Sequence, residues 1–180
     1  MLACLPFVGQ TPRMRQKMKF DTTRFGQINV KQEDITIFPE GPLGFPECTR
    51  FTLIDEDKAA PFRMLQSLDN PALAFVVVDP LMIRADYHFN VTKSELEMLK
   101  ADQIDGLQVY SIVTMAAEIR DVTVNLQGPL VINTNNNLGH QFVLVDSEYT
   151  TKEPLMQDQE DISQNISSSS DESMPQRKAV

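Results

Sequence analysis

Apolar residues in this chain recur at every second position far more often than at helical spacing. Phe25 to Val30 (FGQINV) and Ile35 to Phe38 (ITIF) alternate and read as a strand pair, followed by a strand at Phe51 to Ile54. Leu73 to Val78 (LAFVVV) reads as a buried strand rich in β-branched residues, which Asp79-Pro80 ends. Strands resume at Leu107 to Met115, Val122 to Leu126, Leu130 to Asn133 and Gln141 to Val145. Only two stretches take helical spacing. In Val91 to Met98, Thr92 followed by Glu95 makes a capping box and Leu96 with Leu99 an apolar stripe; in Ala59 to Leu68, Phe62, Leu65 and Leu68 share one spacing. Many short strands with turn residues between them predict a sandwich or small barrel, and the class assigned is mainly β, a single antiparallel barrel-like domain with two short helices. A parallel α/β architecture lacks its helices.

The stretch from Phe38 to Phe51, FPEGPLGFPECTRF, interrupts this alternation with three prolines, two glycines and three phenylalanines. Proline fixes its own φ and glycine reaches angles closed to other residues, so the stretch is a shaped corner anchored by aromatic rings. Gly41 and Gly44 read as shape-setting, and replacing them should harm folding before binding. Asn133 to Asn137 (NTNNN), between two strands, reads as a hairpin turn, since Asn tolerates left-handed backbone.

With 180 residues, 42% of them hydrophobic and 23% charged, the chain suits one globular domain with tails. Residues 1–17 read as a flexible N-terminal extension, 18–156 as the β domain, and 157–180 as a disordered acidic and serine-rich tail that has too few apolar residues to offset the entropy of ordering. The net charge of −9 changes the functional picture. The basic head (Arg13, Arg15, Lys17) and the acidic tail cancel, so the domain itself carries the charge. A field of that sign repels phosphate backbones and attracts basic proteins, which disfavours direct nucleic-acid binding. Two cysteines, Cys4 in the extension and Cys48 in the corner, fit reduced thiols and a cytosolic setting better than a disulfide. The apolar start MLACLPFVG has no basic flank and is too short for a secretory signal, and no later stretch is long enough to span a membrane.

Catalytic and metal-binding patterns are not found. His88 and His140 do not have zinc spacing with the cysteines, Gly41-Pro42-Leu43-Gly44 lacks the Lys-Ser/Thr and helix of a phosphate loop, and Asp55-Glu56-Asp57 is too short for calcium and reads as a solvated turn. No enzyme activity, cofactor or metal is therefore assigned.

Seven pieces in collinear order carry a family resemblance: FG at Phe25, FPEGPLGFPECTRFTL from Phe38, PFRMLQSLDNPALAFVVVDP from Pro61, Asp86-Tyr87, VYSIVT from Val109, TVNLQGPLVIN from Thr123 and GHQFVL from Gly139. Between about Met18 and Met156 the chain resembles the bacterial flagellar assembly factor FliW. The resemblance implies a cytoplasmic, monomeric, non-enzymatic regulator with two protein partners. One is flagellin. The other is CsrA, a small basic dimer that represses translation of flagellin messenger RNA and is captured when flagellin is exported. For CsrA the candidate contacts are the exposed acids flanking strands, Glu33, Asp34, Asp55, Glu56, Asp57 and Asp86; for flagellin they are the loop residues Phe45, Pro46, Asn135 and Asn136. Two other readings stay open: a flagellin export chaperone without a role towards an RNA regulator, and a small β-barrel cofactor carrier such as a flavin-binding protein.

Overall fold

The computed structural model describes residues 17–56, 59–145 and 147–156. The extension up to residue 16, the tail from 157 and Asp57 lie outside the described residues. A hairpin of β1 (Lys17–Thr22) and β2 (Gly26–Lys31) stands apart from the main sheet. That sheet runs through β3 (Ile35–Ile37), β4 (Arg50–Asp55), β5 (Arg63–Ser67), β6 (Ala74–Val78), β7 (Leu107–Thr114), β8 (Thr123–Asn133) and β9 (Leu138–Gln141). Each strand from β3 to β9 pairs antiparallel with the next. A single parallel pairing, Ile37 with Leu138, joins β9 back to β3 and closes a seven-stranded barrel. A short β10 (Glu153–Pro154) adds to the start of β8. Closure leaves the sheet few free edges to pair with other chains.

Alternation sets which residues fill the barrel. Phe51, Leu65, Val77, Tyr110, Leu130 and Ile132 form the interior cluster with Phe38 and Cys48. The outer wall is covered in two places. Met18, Phe20, Ile28 and Val30 of the hairpin pack over Ile35, Ile37 and Leu68. On the opposite wall, Tyr87, Phe89, Val91 and Leu99 cover parts of β6, β7 and β8 together with Phe142 and Tyr149. The Tyr87 hydroxyl donates to the Leu126 carbonyl at 2.8 Å, and burial holds that phenol protonated well above its ordinary range.

Four details differ from the sequence expectation, each for a physical reason. Residues 63–67 are a strand, so the helix expected over Ala59 to Leu68 is absent. Phe62, Leu65 and Leu68 enter three separate clusters, and Met64 through Leu68 are all buried, which erases the polar face that would have revealed a strand. Gly26–Lys31 pairs with Lys17–Thr22 and not with Ile35–Ile37, because a 3-10 turn at Gln32–Asp34 diverts the chain into the barrel. Lys17, assigned to the N-terminal extension from sequence, thus opens β1. The stretches 122–126 and 130–133 are one strand with a register shift opposite Tyr110 and Ile112, which moves Leu126 to the outer wall and Leu130 to the interior. Finally, β9 begins at Leu138, three residues before the strand expected at Gln141. Past Gln141 the chain still follows β8, with Phe142 and Leu144 donating to Pro129 and Gln127. The capping box at Thr92 and Glu95 does open the helix α1 (Lys93–Met98).

The corner from Phe38 to Phe51 folds as expected. Phe38 and Phe51 meet edge to face at 5.5 Å, both fully buried. The Leu43 amide donates to Gln141 Oε1 at 2.8 Å, pinning the corner to the end of β9. Gly139 of β9 lies against the Phe38 ring, with only 2.6 Å from a would-be Cβ to the ring edge. Asp69, in the β5–β6 turn, ties that turn to the start of β4: its carboxylate accepts the Thr49 and Arg50 amides at 2.8 Å each and Arg50 Nε at 2.7 Å. Partial burial opposes the charge, but these donors outweigh it and hold the carboxyl below its usual range. A depressed pKa stabilises the fold above the unfolded-state value and is lost as pH falls through the folded one. Asp69→Asn is therefore expected to lower stability at pH 7 by about 1 kcal/mol, discounted for exposure. Urea midpoints should show the gap to the parent closing below about pH 4; a gap independent of pH would refute the assignment.

Candidate partner-binding surface

A barrel has two ends, and strand direction decides which residues each presents. The corner, the end of β9 and the β5–β6 turn share one end. The other end, here the mouth, gathers the Gln32–Asp34 turn, the end of β4, the start of β5, the end of β6, the start of β7 and the Asn133–Asn137 turn. An open cavity of about 650 Å³ lies there, lined among others by Asp34, Asp55, Arg63, Gln108, Thr134 and Asn137.

A polar chain crosses this mouth. Asp55 and Arg63 are paired in register and lie on the inward-facing alternation of β4 and β5. Arg63 donates to both carboxylate oxygens of Asp55, and its Nη1 donates to the Tyr110 hydroxyl, which in turn donates to Gln108 Oε1 at 3.1 Å. Burial works against the Arg63 charge, yet the hydrogen bond to Asp55 and the fields of Tyr110 and Asp55 raise its pKa above the ordinary arginine value. The apolar interior is thereby capped at the mouth by a polar and charged layer. At the rim, Asn137 takes a left-handed φ of 57° and donates to the Glu33 carbonyl at 2.6 Å. Asn133 and Asn136 both donate to the Leu99 carbonyl, at 3.1 and 3.0 Å, so the turn clamps the end of α1 to the barrel.

The structure places the sequence candidates unevenly. Glu33 and Asp34 sit exposed in the turn at the mouth, and beside it Asp55 ends β4 and Glu56 follows it, both exposed. Asp57 lies outside the described residues. Asp86 is elsewhere: it pairs with Arg84 at 3.2 Å, and Arg84 also holds Glu148 at 3.1 Å while stacking over Tyr149. Asn135 and Asn136 are at the mouth, but Phe45 and Pro46 are at the opposite end, where the 38% exposed Phe45 ring rests edge-on against Phe75. The four flagellin candidates therefore do not form one surface, and Asn136 is already engaged in structural bonds.

One feature of the mouth escaped sequence reasoning. A second cavity, about 480 Å³ and largely apolar, runs between the Pro80–Met82 turn and Ile104, floored by Tyr110 and Val131. Leu81 and Ile104 are 54% and 65% exposed at its edges. The signal was present as apolar residues set within turn sequences, Asp79-Pro80-Leu81-Met82 and Asp102-Gln103-Ile104-Asp105, where no alternation accounts for them. Among the described residues, no group of three His, Cys, Asp or Glu side chains is placed to hold a metal ion, and no helix is long and apolar enough to cross a membrane.

Residues 19–155 match the FliW protein family. The flagellar assembly factor FliW of Geobacter sulfurreducens is 44% identical over 138 residues, covering 77% of this chain and 86% of the relative. The corresponding factor of Bacillus subtilis is 38% identical over 138 residues, covering 77% and 96%, and that of Alkaliphilus metalliredigens 39% over 142 residues, covering 78% and 88%. Among solved structures, a crystal structure of the flagellar assembly factor FliW superposes with a TM-score of 0.74 at 34% identity, spanning 79% of this chain and 99% of that one.

Proposed function

The chain belongs to the FliW family of flagellar assembly factors, and on that premise we propose that it works by binding, as a cytoplasmic partner switch between flagellin and the translational regulator CsrA. Flagellin occupies the factor while it accumulates. Export of flagellin frees the factor, which then captures CsrA and relieves repression of flagellin messenger RNA. The observation that carries this reading is the gathering of Glu33, Asp34, Asp55 and Glu56 at one open barrel end on a chain of net charge −9. Such a field speeds encounter with a basic dimer and selects against acidic competitors. No step of the switch needs a reacting group.

Competition follows if both partners use the mouth. Asn135 stands on the same rim as the acids, so a flagellin segment held there would occlude them. A coupling of about 1 to 3 kcal/mol between the two ligands changes the apparent affinity roughly 5- to 150-fold. Calorimetric titration of the full chain into CsrA is expected to show binding that weakens about tenfold or more as salt rises from low to physiological strength, and that is suppressed by saturating flagellin. Binding of flagellin with no heat from folded CsrA would leave a flagellin chaperone as the function instead.

A further inference from the structure

We propose that the apolar groove between the Pro80–Met82 turn and Ile104 is a strand-acceptor slot. Its occupant is an extended apolar segment of a partner protein, flanked by a basic residue, which adds beside β7. The groove lies where a ladder stops halfway. β6 pairs with β7 through Val76 with Val113, Val77 with Ile112 and Val78 with Ser111. Continued by two residues, the ladder would set position 80 opposite Val109. That position is Pro80, which has no N–H and opens the Pro80–Met82 turn instead. Among the described residues, no strand lies beside residues 107–110 on that side.

Alternation decides where this part of the β7 backbone points. The Thr134 amide donates to the Gly106 carbonyl at 2.9 Å, so Gly106, Gln108 and Tyr110 direct their backbone groups towards β8. Leu107 and Val109 therefore face the slot. The Leu107 amide is taken by the Ile104 carbonyl at 3.1 Å. Among the described residues, the Leu107 carbonyl and the Val109 amide and carbonyl have no bonded partner. Both residues are half-buried, against a lining that includes Leu81, Val91 and Ile104.

Those three unpaired groups select the occupant. A helix uses its backbone groups internally and a hydrocarbon ligand has none, so either would cover the three groups and leave them unsatisfied. An extended peptide presents a donor and an acceptor at every second residue, and its side chains of one face meet the apolar lining. Residues 107–110 offer it about 13 Å of strand. Among the lining residues Asp79 is the only carboxylate and none is Lys or Arg, so a basic flank fits and an acidic one does not. The slot recognises backbone and apolar pattern, whereas the acids of the mouth act through charge. The two are therefore tested apart.

The test uses the full chain and an acetylated heptapeptide of alternating valine and threonine with a lysine at each end. Hydrogen exchange of backbone amides is followed by NMR with and without the peptide. Saturation is expected to slow exchange of the Val109 amide about tenfold or more, with the largest shifts at Leu81, Leu107 and Ile104. The same peptide N-methylated at its valines, the residues whose backbone would face β7, should bind about tenfold more weakly or not at all. Ile104→Asp and Leu81→Asp, both at exposed positions, should each abolish the protection while leaving the rest of the spectrum in place. The slot is overturned by an absence of binding at millimolar peptide, by binding that N-methylation does not weaken, or by shifts gathered at Leu43 and Phe45 in the opposite corner. Protection of Val109 already present in the free protein, and fading on dilution, would give the slot to a second copy and overturn it equally.

Discussion

Gly41→Ala is expected to destabilise the domain by about 3 kcal/mol or more, whereas Gly44→Ala should cost only about 1 kcal/mol. Both glycines have left-handed backbone, φ 64° and 87°, so each substitution carries the strain of a side chain in that region. They differ in their surroundings. A Cβ on Gly41 would collide with the Phe45 carbonyl oxygen and come within 2.9 Å of the Pro46 Cα, while nothing lies within 4 Å of one on Gly44. The obstacles at Gly41 are backbone atoms, which cannot swing aside. Relief requires opening the corner, and the corner holds the fully buried Pro42 and the contact of Phe38 with Phe51 and Gly139. Equal urea midpoints for the two variants would mean that the corner yields freely and that its tight approach contributes nothing. The corner is far from the mouth, so residual folded Gly41→Ala should keep its affinity for a partner bound at the mouth.

Much of this corner was legible because its residues have unusual backbone requirements. Gly and Pro constrain φ wherever they occur, so FPEGPLGFPECTRF announces a bend without tertiary information. The same holds for the capping box at Thr92 and Glu95, whose two reciprocal hydrogen bonds are local. Strands whose burial alternates, such as Val122 to Leu126, were legible through that alternation. What escaped depended on what covers the outer wall. Residues 64–68 are buried on both sides, and with no solvent face their sequence has no period to read. The hairpin partner of Gly26–Lys31 does alternate, as KMKFDT; what its sequence did not carry is which strand it pairs with, which the Gln32–Asp34 turn decides by diverting the chain into the barrel.

Legibility of the mouth was partial, because ends of strands are gathered by topology and not by spacing. Glu33, Asp34, Asp55 and Glu56 lie up to 23 positions apart, and only the antiparallel pairing of β3 with β4 makes them neighbours. Asp86 looked equivalent by composition, yet it belongs to an ion-pair cluster with Arg84 and Glu148 on the barrel flank. The amides Asn135 and Asn136 and the apolar pair Phe45 and Pro46 were similarly joined by residue type, and β9 separates them by its full length.

That difference between rim and flank gives the sharpest mutational contrast. Asp34→Lys combined with Glu56→Lys is expected to slow association with CsrA about 10- to 100-fold at low salt, with a smaller effect on dissociation. Both side chains are exposed and neither pairs within the polar chain of Arg63, so the fold should keep its urea midpoint within about 0.5 kcal/mol. Asp86→Lys makes the same change of charge and leaves the same net charge per substitution. It acts on the barrel flank, in the ion-pair cluster of Arg84 with Asp86 and Glu148 and away from the mouth, so its effect on the association rate should stay within about twofold. Rates measured by stopped flow over a salt series separate the cases. If the rim alone steers the partner, the rim variant loses most of its salt dependence and Asp86→Lys retains it. If all three substitutions slow association in proportion to charge, the whole-molecule field is responsible and the mouth has no special role. If none does, electrostatics does not drive encounter, and the partner is held by the apolar groove or at the opposite barrel end.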